Sequence, residues 1–235
     1  LRELEVNGTS TFSGILGHKT AEALNRRRMA ILLASLVLLV LAVPIAEVAS
    51  QARFVIIIGT VGFLLASLQQ VEGYPRLRLS SRLMVLLWLI LNLPWSDGAW
   101  IPGAAAATLA VLTLTILWLV AQRLVGADRV DAELLCSALG AYLLLGVFWA
   151  QTYEIIDLAV PAAFNKPDEA AMSPSTLLYF SFTTLTTTGY GDITAVNPVV
   201  RMWSIFEAII GTMYNATVIA RLVSLYGSRV GRDDR

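Results

Sequence analysis

The sequence predicts an all-α integral membrane protein, on three observations. Hydrophobic residues make up 57% of the 235 positions and charged residues only 14%, a balance that ordinary soluble domains do not reach. Apolar runs of about 20 residues, the length that crosses a hydrocarbon core of about 30 Å, recur along the chain with short polar breaks. Before the last of these runs, the connection extends for about forty residues, far beyond the others, and holds a polar, glycine-bearing stretch that no membrane helix would choose.

Six spans account for the apolar runs. Residues 29–48, "MAILLASLVLLVLAVPIAEV", form the first, and 53–70, "RFVIIIGTVGFLLASLQQ", the second. The third, 83–95, "LMVLLWLILNLPW", is short and relies on snorkelling of Arg82 and an interfacial tryptophan to reach both surfaces. The fourth, 103–122, opens on glycine and alanines suited to close helix packing. The fifth is 134–153, and the sixth lies within 199–226. Of the 17 Lys and Arg, only Arg53, Lys166 and Arg201 then fall on segments placed outside. Clusters such as Arg26 to Arg28 and Arg76, Arg78 and Arg82 fall inside, so both termini are expected in the cytoplasm. Omitting the short third span would put the cluster at 76–82 on the wrong side.

Composition excludes much else. Formal charge is zero, so no basic field points to nucleic acid. The single cysteine, Cys136, sits in "LLCSALG" and reads as a packed helix residue. The single histidine, His18, lies in the polar N-terminal segment, which leaves histidine triads and His/Cys metal clusters without parts. The chain is therefore not read as an enzyme. Its first apolar run starts late and is too long for the apolar core of a signal peptide.

The long connection carries the chemistry. Ser173 followed by Pro174 is a helix-start signal, and "PSTLLYFSFTTLT" supports a helix of about 13 residues, roughly 20 Å at 1.5 Å per residue, too short to cross. It is expected to enter the membrane and return. Irregular backbone at that depth is tolerated only where it is buried in protein or lines water. "TTLTTTGYGD", residues 183–192, is thus read as backbone whose carbonyls face a polar path. Gly189 and Gly191 permit backbone angles barred to other residues, so consecutive carbonyls can turn toward one axis and replace an ion's water shell. Thr187 adds its hydroxyl at the inner end, with carbonyls of Thr188, Gly189 and Tyr190 above it. One chain supplies one wall, so a closed ring implies several copies around a symmetry axis.

The run "TLTTTGYGD" resembles the potassium-channel signature, and the order of outer helix, short pore helix, filter and inner helix over 134–226 is similar to that family. The resemblance implies a four-helix peripheral bundle plus a two-helix pore module with re-entrant pore helix and filter. The corresponding domains are a cytoplasmic N-terminal segment 1–28, a peripheral domain 29–123, a pore domain 134–226 and a cytoplasmic tail 227–235. It implies a homotetramer in the lipid bilayer of a plasma membrane, of bacterial inner-membrane type, with potassium as permeant ion and no cofactor. The filter would be Thr187, Thr188, Gly189, Tyr190 and Gly191, the first four contributing potassium ligands, with Asp192, Tyr179 and Thr183 in support. Asp192 is expected to accept a hydrogen bond from Tyr179 and to form an acidic ring outside the filter. Thr188 stands where many members carry valine, while Tyr190 argues for potassium over sodium. Arg201 and Gly211 match an arginine at the top of the inner helix and a glycine at its bend.

On the last span, Thr212, Asn215 and Ile219 share a face with Ala208 and Leu222 and would line a water-filled cavity below the filter. Glu207, an ionisable residue inside a span, has two readings: a functional group beside the pore, or a buried partner for a pore-helix threonine hydroxyl. Residues 103–122 hold no charge, so no arginine voltage sensor is expected. The rivals are a weakly selective cation channel, a potassium-transport subunit needing a partner, and a membrane bundle with no pore.

Overall fold

The computed structural model describes residues 27–48, 53–71, 74–92, 98, 100–128, 130–165 and 172–233. His18, Arg26, Trp95 and Lys166, and most of the N-terminal segment, lie outside the described residues. Seven helices and two short strands follow in the described chain: α1 (Arg28–Val48), α2 (Arg53–Gln70), α3 (Pro75–Leu91), α4 (Ile101–Gly126), α5 (Ala132–Ala159), β1 (Phe164–Asn165), α6 (Pro174–Leu185), β2 (Thr194–Ala195) and α7 (Pro198–Asp233).

Local chemistry sets these boundaries. α5 begins where the Asp131 carboxylate accepts from the Leu134 amide at 2.8 Å, with Glu133 in the first turn. Pro75 opens α3, where its missing amide hydrogen costs nothing. The expected third span therefore starts and ends too late in the sequence: the helix takes in Arg76, Arg78 and Arg82 and stops at Leu91, before Pro94. Arginine and leucine are good helix formers, and the preceding proline gives a start that the apolar run alone did not mark. α7 likewise continues through most of the expected tail, to Asp233.

Among the described residues, four helices are long and apolar enough to cross a membrane: α1, α4, α5 and α7. α3, with 17 residues, falls short of that length. α1 packs on α2 and α5, α3 on α4, and α4 along α5. Buried Leu32, Leu36, Phe63, Leu112, Ile116 and Leu144 fill the resulting core, while Ala105, Ala106 and Ala110 bring α4 close to its neighbours. Cys136, half-buried and unpaired, packs against this core.

A second core lies where α5, α6 and α7 meet, built on Trp149, Tyr153, Phe164, Leu177, Phe180 and Leu185. Tyr153, Phe164 and Phe180 contact one another edge to face, with centroids 5.0 to 5.8 Å apart. β1 pairs antiparallel with β2, Phe164 opposite Ala195, and Val196 N donates to the Ala163 carbonyl at 2.9 Å. This ribbon ties the chain before α6 to the chain after it, which closes the segment that holds α6 into a loop with fixed ends.

Candidate functional site

α6 is a helix of 12 residues that starts at a side-chain cap and stops at the polar stretch. Ser173 Oγ accepts from Thr176 N at 3.3 Å, and Pro174 occupies the first turn, as the Ser-Pro pair predicts. At the other end, Thr186 N donates to the Phe182 carbonyl at 3.0 Å, and Thr187 N to the Thr184 carbonyl at 2.9 Å. The Thr183 carbonyl then accepts from both Thr188 N, at 2.8 Å, and Gly189 N, at 3.0 Å. Thr183 thus supports the polar stretch through its backbone, since its hydroxyl bonds the Phe180 carbonyl inside the helix. Helix carbonyls left open at this end carry partial negative charge, which favours a cation beyond them.

The backbone of the polar stretch alternates. Thr187, Gly189 and Gly191 have φ of 58°, 51° and 81°, while Thr188 and Tyr190 between them do not enter the left-handed region. Both glycines thus use the left-handed region that their lack of a β-carbon opens to them. Thr187 was not expected to join them. A β-branched residue there costs about 1–2 kcal/mol, offset in part by the paired amides of Thr187 and Thr188. A β-carbon at Gly189 or Gly191 would meet no atom of the same chain, so what glycine supplies is conformation rather than space. Thr187, Thr188, Gly189, Tyr190 and Gly191 are all exposed on the single chain.

Tyr179 Oη donates to Asp192 Oδ2 at 2.8 Å, so the residues expected to pair across the loop are brought together. The Tyr179 ring stacks on Tyr190, planes 4° apart and centroids at 6.2 Å.

Behind α6 lies a polar contact that joins three helices. Glu207 of α7 is fully buried; its Oε1 accepts from Ser181 Oγ at 2.6 Å and its Oε2 from Tyr153 Oη at 2.7 Å. Ser181 Oγ is also 2.8 Å from the Gly146 carbonyl of α5. The carboxyl is therefore a buried partner of the pore-helix candidate, as one of its two readings had it, but the donor is serine together with the α5 tyrosine. No threonine takes part. Glu207 stands apart from the face of Thr212, Asn215 and Ile219: it faces α5 and α6.

Gly211 is also buried, with the Leu185 carbonyl at the end of α6 lying where its β-carbon would stand. α7 runs unbroken through this position, so here the glycine serves close approach to α6 rather than an interruption of the helix. Gly146 plays the same part on α5, where a β-carbon would fall 2.5 Å from the Phe182 ring. Thr212, Asn215 and Ile219, by contrast, are exposed on one face of α7. Tyr214, on the other face, donates to the Ala138 carbonyl at 2.5 Å and packs on Tyr142.

Sequence reasoning missed Ser181, Tyr153 and Gly146, and the φ of Thr187. The glycine in an otherwise large-residue stretch, "YLLLGVFW", was a signal of close approach; Tyr153 gave none. Among the described residues no group of three or more His, Cys, Asp or Glu could hold a metal ion.

Residues 138–227, less than half of the chain, match the family model described as ion channel. The segment covers most of α5, all of α6 with the polar stretch, and α7 to its last turns, and the match supports an ion channel. Comparisons with curated proteins and with solved structures find no match.

Proposed function

We propose that four copies of this chain form a potassium-selective channel that conducts passively through a pore on their common axis. The observation that carries the reading is the backbone of 187–191, left-handed at alternate residues, exposed, and held at the end of a half-length helix between two membrane-long helices. Four such walls would enclose a column of carbonyl and threonine oxygens, giving adjacent sites of moderate affinity along which ions can pass. The α6 C-terminus would favour a cation in the wide region below, where Thr212, Asn215 and Ile219 would line water.

Further support comes from α7, whose spanning window is only 6% buried in the single chain. Exposed polar groups such as Thr212 and Asn215 on that helix suit water or a neighbouring copy better than lipid. In this reading α2 and α3 supply the second and third of six spans, with both termini cytoplasmic in a plasma membrane. α3 at 1.5 Å per residue gives about 26 Å, close to the hydrocarbon core.

The test is flux from proteoliposomes loaded with potassium and bathed in sodium. Purified tetramers are expected to pass potassium down its gradient and little sodium back. Failure to conduct either ion, in confirmed tetramers over a range of pH and voltage, would overturn the reading.

A further inference from the structure

Away from the polar stretch, a cavity of about 820 Å³ opens between the peripheral helices and the pore module. Its walls come from α1, α2, α3 and α4 on one side and from α5 and α6 on the other. Leu39, Leu109, Val147 and Leu177 make it mostly apolar. Thr60 and Asn92 also line it, but two other polar residues are more telling. Gln151 of α5 lines it, is 6% exposed, and its Oε1 has no hydrogen-bond partner among the described residues. Glu154, one turn further along α5 and so on the same face, also lines it; it is half-buried and pairs with no described residue.

Buried acceptors without donors are rare, and an unpaired carboxylate among apolar side chains is costly. No basic side chain is among the cavity's described lining residues, so nothing there supplies the missing charge. Apolar walls with a few convergent polar groups are the usual build of a small-molecule site, and here those groups accept hydrogen bonds. We propose that this cavity binds a primary ammonium carried on an apolar chain, with the ammonium between Glu154 and Gln151 and the chain running down past Leu109 and Val147. Because Leu177 belongs to α6, the occupant also touches the helix that carries the polar stretch. Two sources present this chemistry, an aminophospholipid of the surrounding bilayer and a free alkylamine.

The test uses the full chain in phosphatidylcholine vesicles, labelled by dodecylamine bearing a photoactivatable diazirine, with the matching dodecanol as the uncharged control. Labelled peptides are read by mass spectrometry. The amine is expected to label 101–109 and 147–154 about tenfold more than the alcohol, the scale of one charge-assisted hydrogen bond. Glu154→Gln should bring the amine down to the alcohol's level, and Gln151→Leu should reduce it several-fold. Neither residue has a partner to lose among the described residues, so both variants should keep the fold, which circular dichroism would check. Phosphatidylethanolamine added to the vesicles decides the source: protection assigns the cavity to the lipid, and no protection assigns it to the free amine. Equal labelling by amine and alcohol, undiminished labelling of Glu154→Gln, or label no denser here than on the exposed Leu38 and Leu41 of α1 would overturn the proposal. None of these readouts depends on conduction.

Discussion

At the scale of single residues, Glu207 separates the two readings of a buried carboxyl. Its oxygens satisfy Ser181 and Tyr153, donors that have no water to turn to. Glu207→Leu removes the acceptor that both donors share, leaving Ser181 Oγ only the Gly146 carbonyl at 2.8 Å and Tyr153 Oη only the longer contact to Ser204 Oγ at 3.4 Å, a loss of about 1–3 kcal/mol, whereas Glu207→Gln keeps an acceptor of similar shape. The leucine variant is expected to unfold in detergent at a clearly lower temperature than wild type, and the glutamine variant in between. A leucine variant as stable as wild type would show that the contact contributes nothing. The sequence made Glu207 conspicuous, because a charge within a span is rare. It could not name the donors, because Ser181 and Tyr153 come together only when α5, α6 and α7 cross. Thr187 makes the same point: its neighbours advertise turn chemistry through glycine, while its own left-handed φ is imposed by the amides gathered on the Thr183 carbonyl.

At the scale of elements, periodicity was the reliable signal. The apolar runs locate α1, α2, α4, α5 and α7, and the Ser173-Pro174 cap fixes the first residue of α6. What periodicity could not give was where a helix continues through polar residues, as α3 does over its arginines and α7 beyond the apolar run. Nor does a two-residue ribbon leave a pattern to read. The helical phase of α7 has a direct chemical test. With Cys136 replaced, cysteine at Asn215 should react rapidly with a water-soluble thiol reagent from the cytoplasmic side and block current. At Tyr214, which lies against α5, reaction should be at least about tenfold slower, since attack needs an exposed thiolate. Similar rates at both positions would contradict the face assigned to the pore.

At the scale of the whole molecule, α4 is tied to α5 and α7 by contacts at one end, with no charge ladder along it. α4 is uncharged until Arg123 at its far end, which lies 4.0 Å from Glu133 at the start of α5. Arg221 of α7 donates to the carbonyls of Val125 and Ala127 at 2.8 and 2.9 Å, so the end of α4 and α7 are clasped together. Voltage sensing by charge movement needs several residues in the field, since one charge crossing 100 mV gains only about 2.3 kcal/mol. The conductance-voltage relation of reconstituted channels in symmetric potassium should therefore give an apparent gating charge of about one or two. A value of about twelve or more, as four arginine-bearing sensors would supply, would sink this expectation. Here the sequence was informative by what the fourth span lacks. The arrangement of the bundle around α5 was not legible, because it depends on which apolar faces meet.

The central claim is that 187–191 form a filter that distinguishes potassium from sodium. Its most direct test is the bi-ionic reversal potential of reconstituted channels, with potassium on one side and sodium on the other. Wild type is expected to reverse far toward the potassium equilibrium potential, and Tyr190→Asp, which removes the ring stacked on Tyr179, to shift toward zero. A wild-type reversal near zero, or a Tyr190→Asp variant with wild-type preference, would contradict the account.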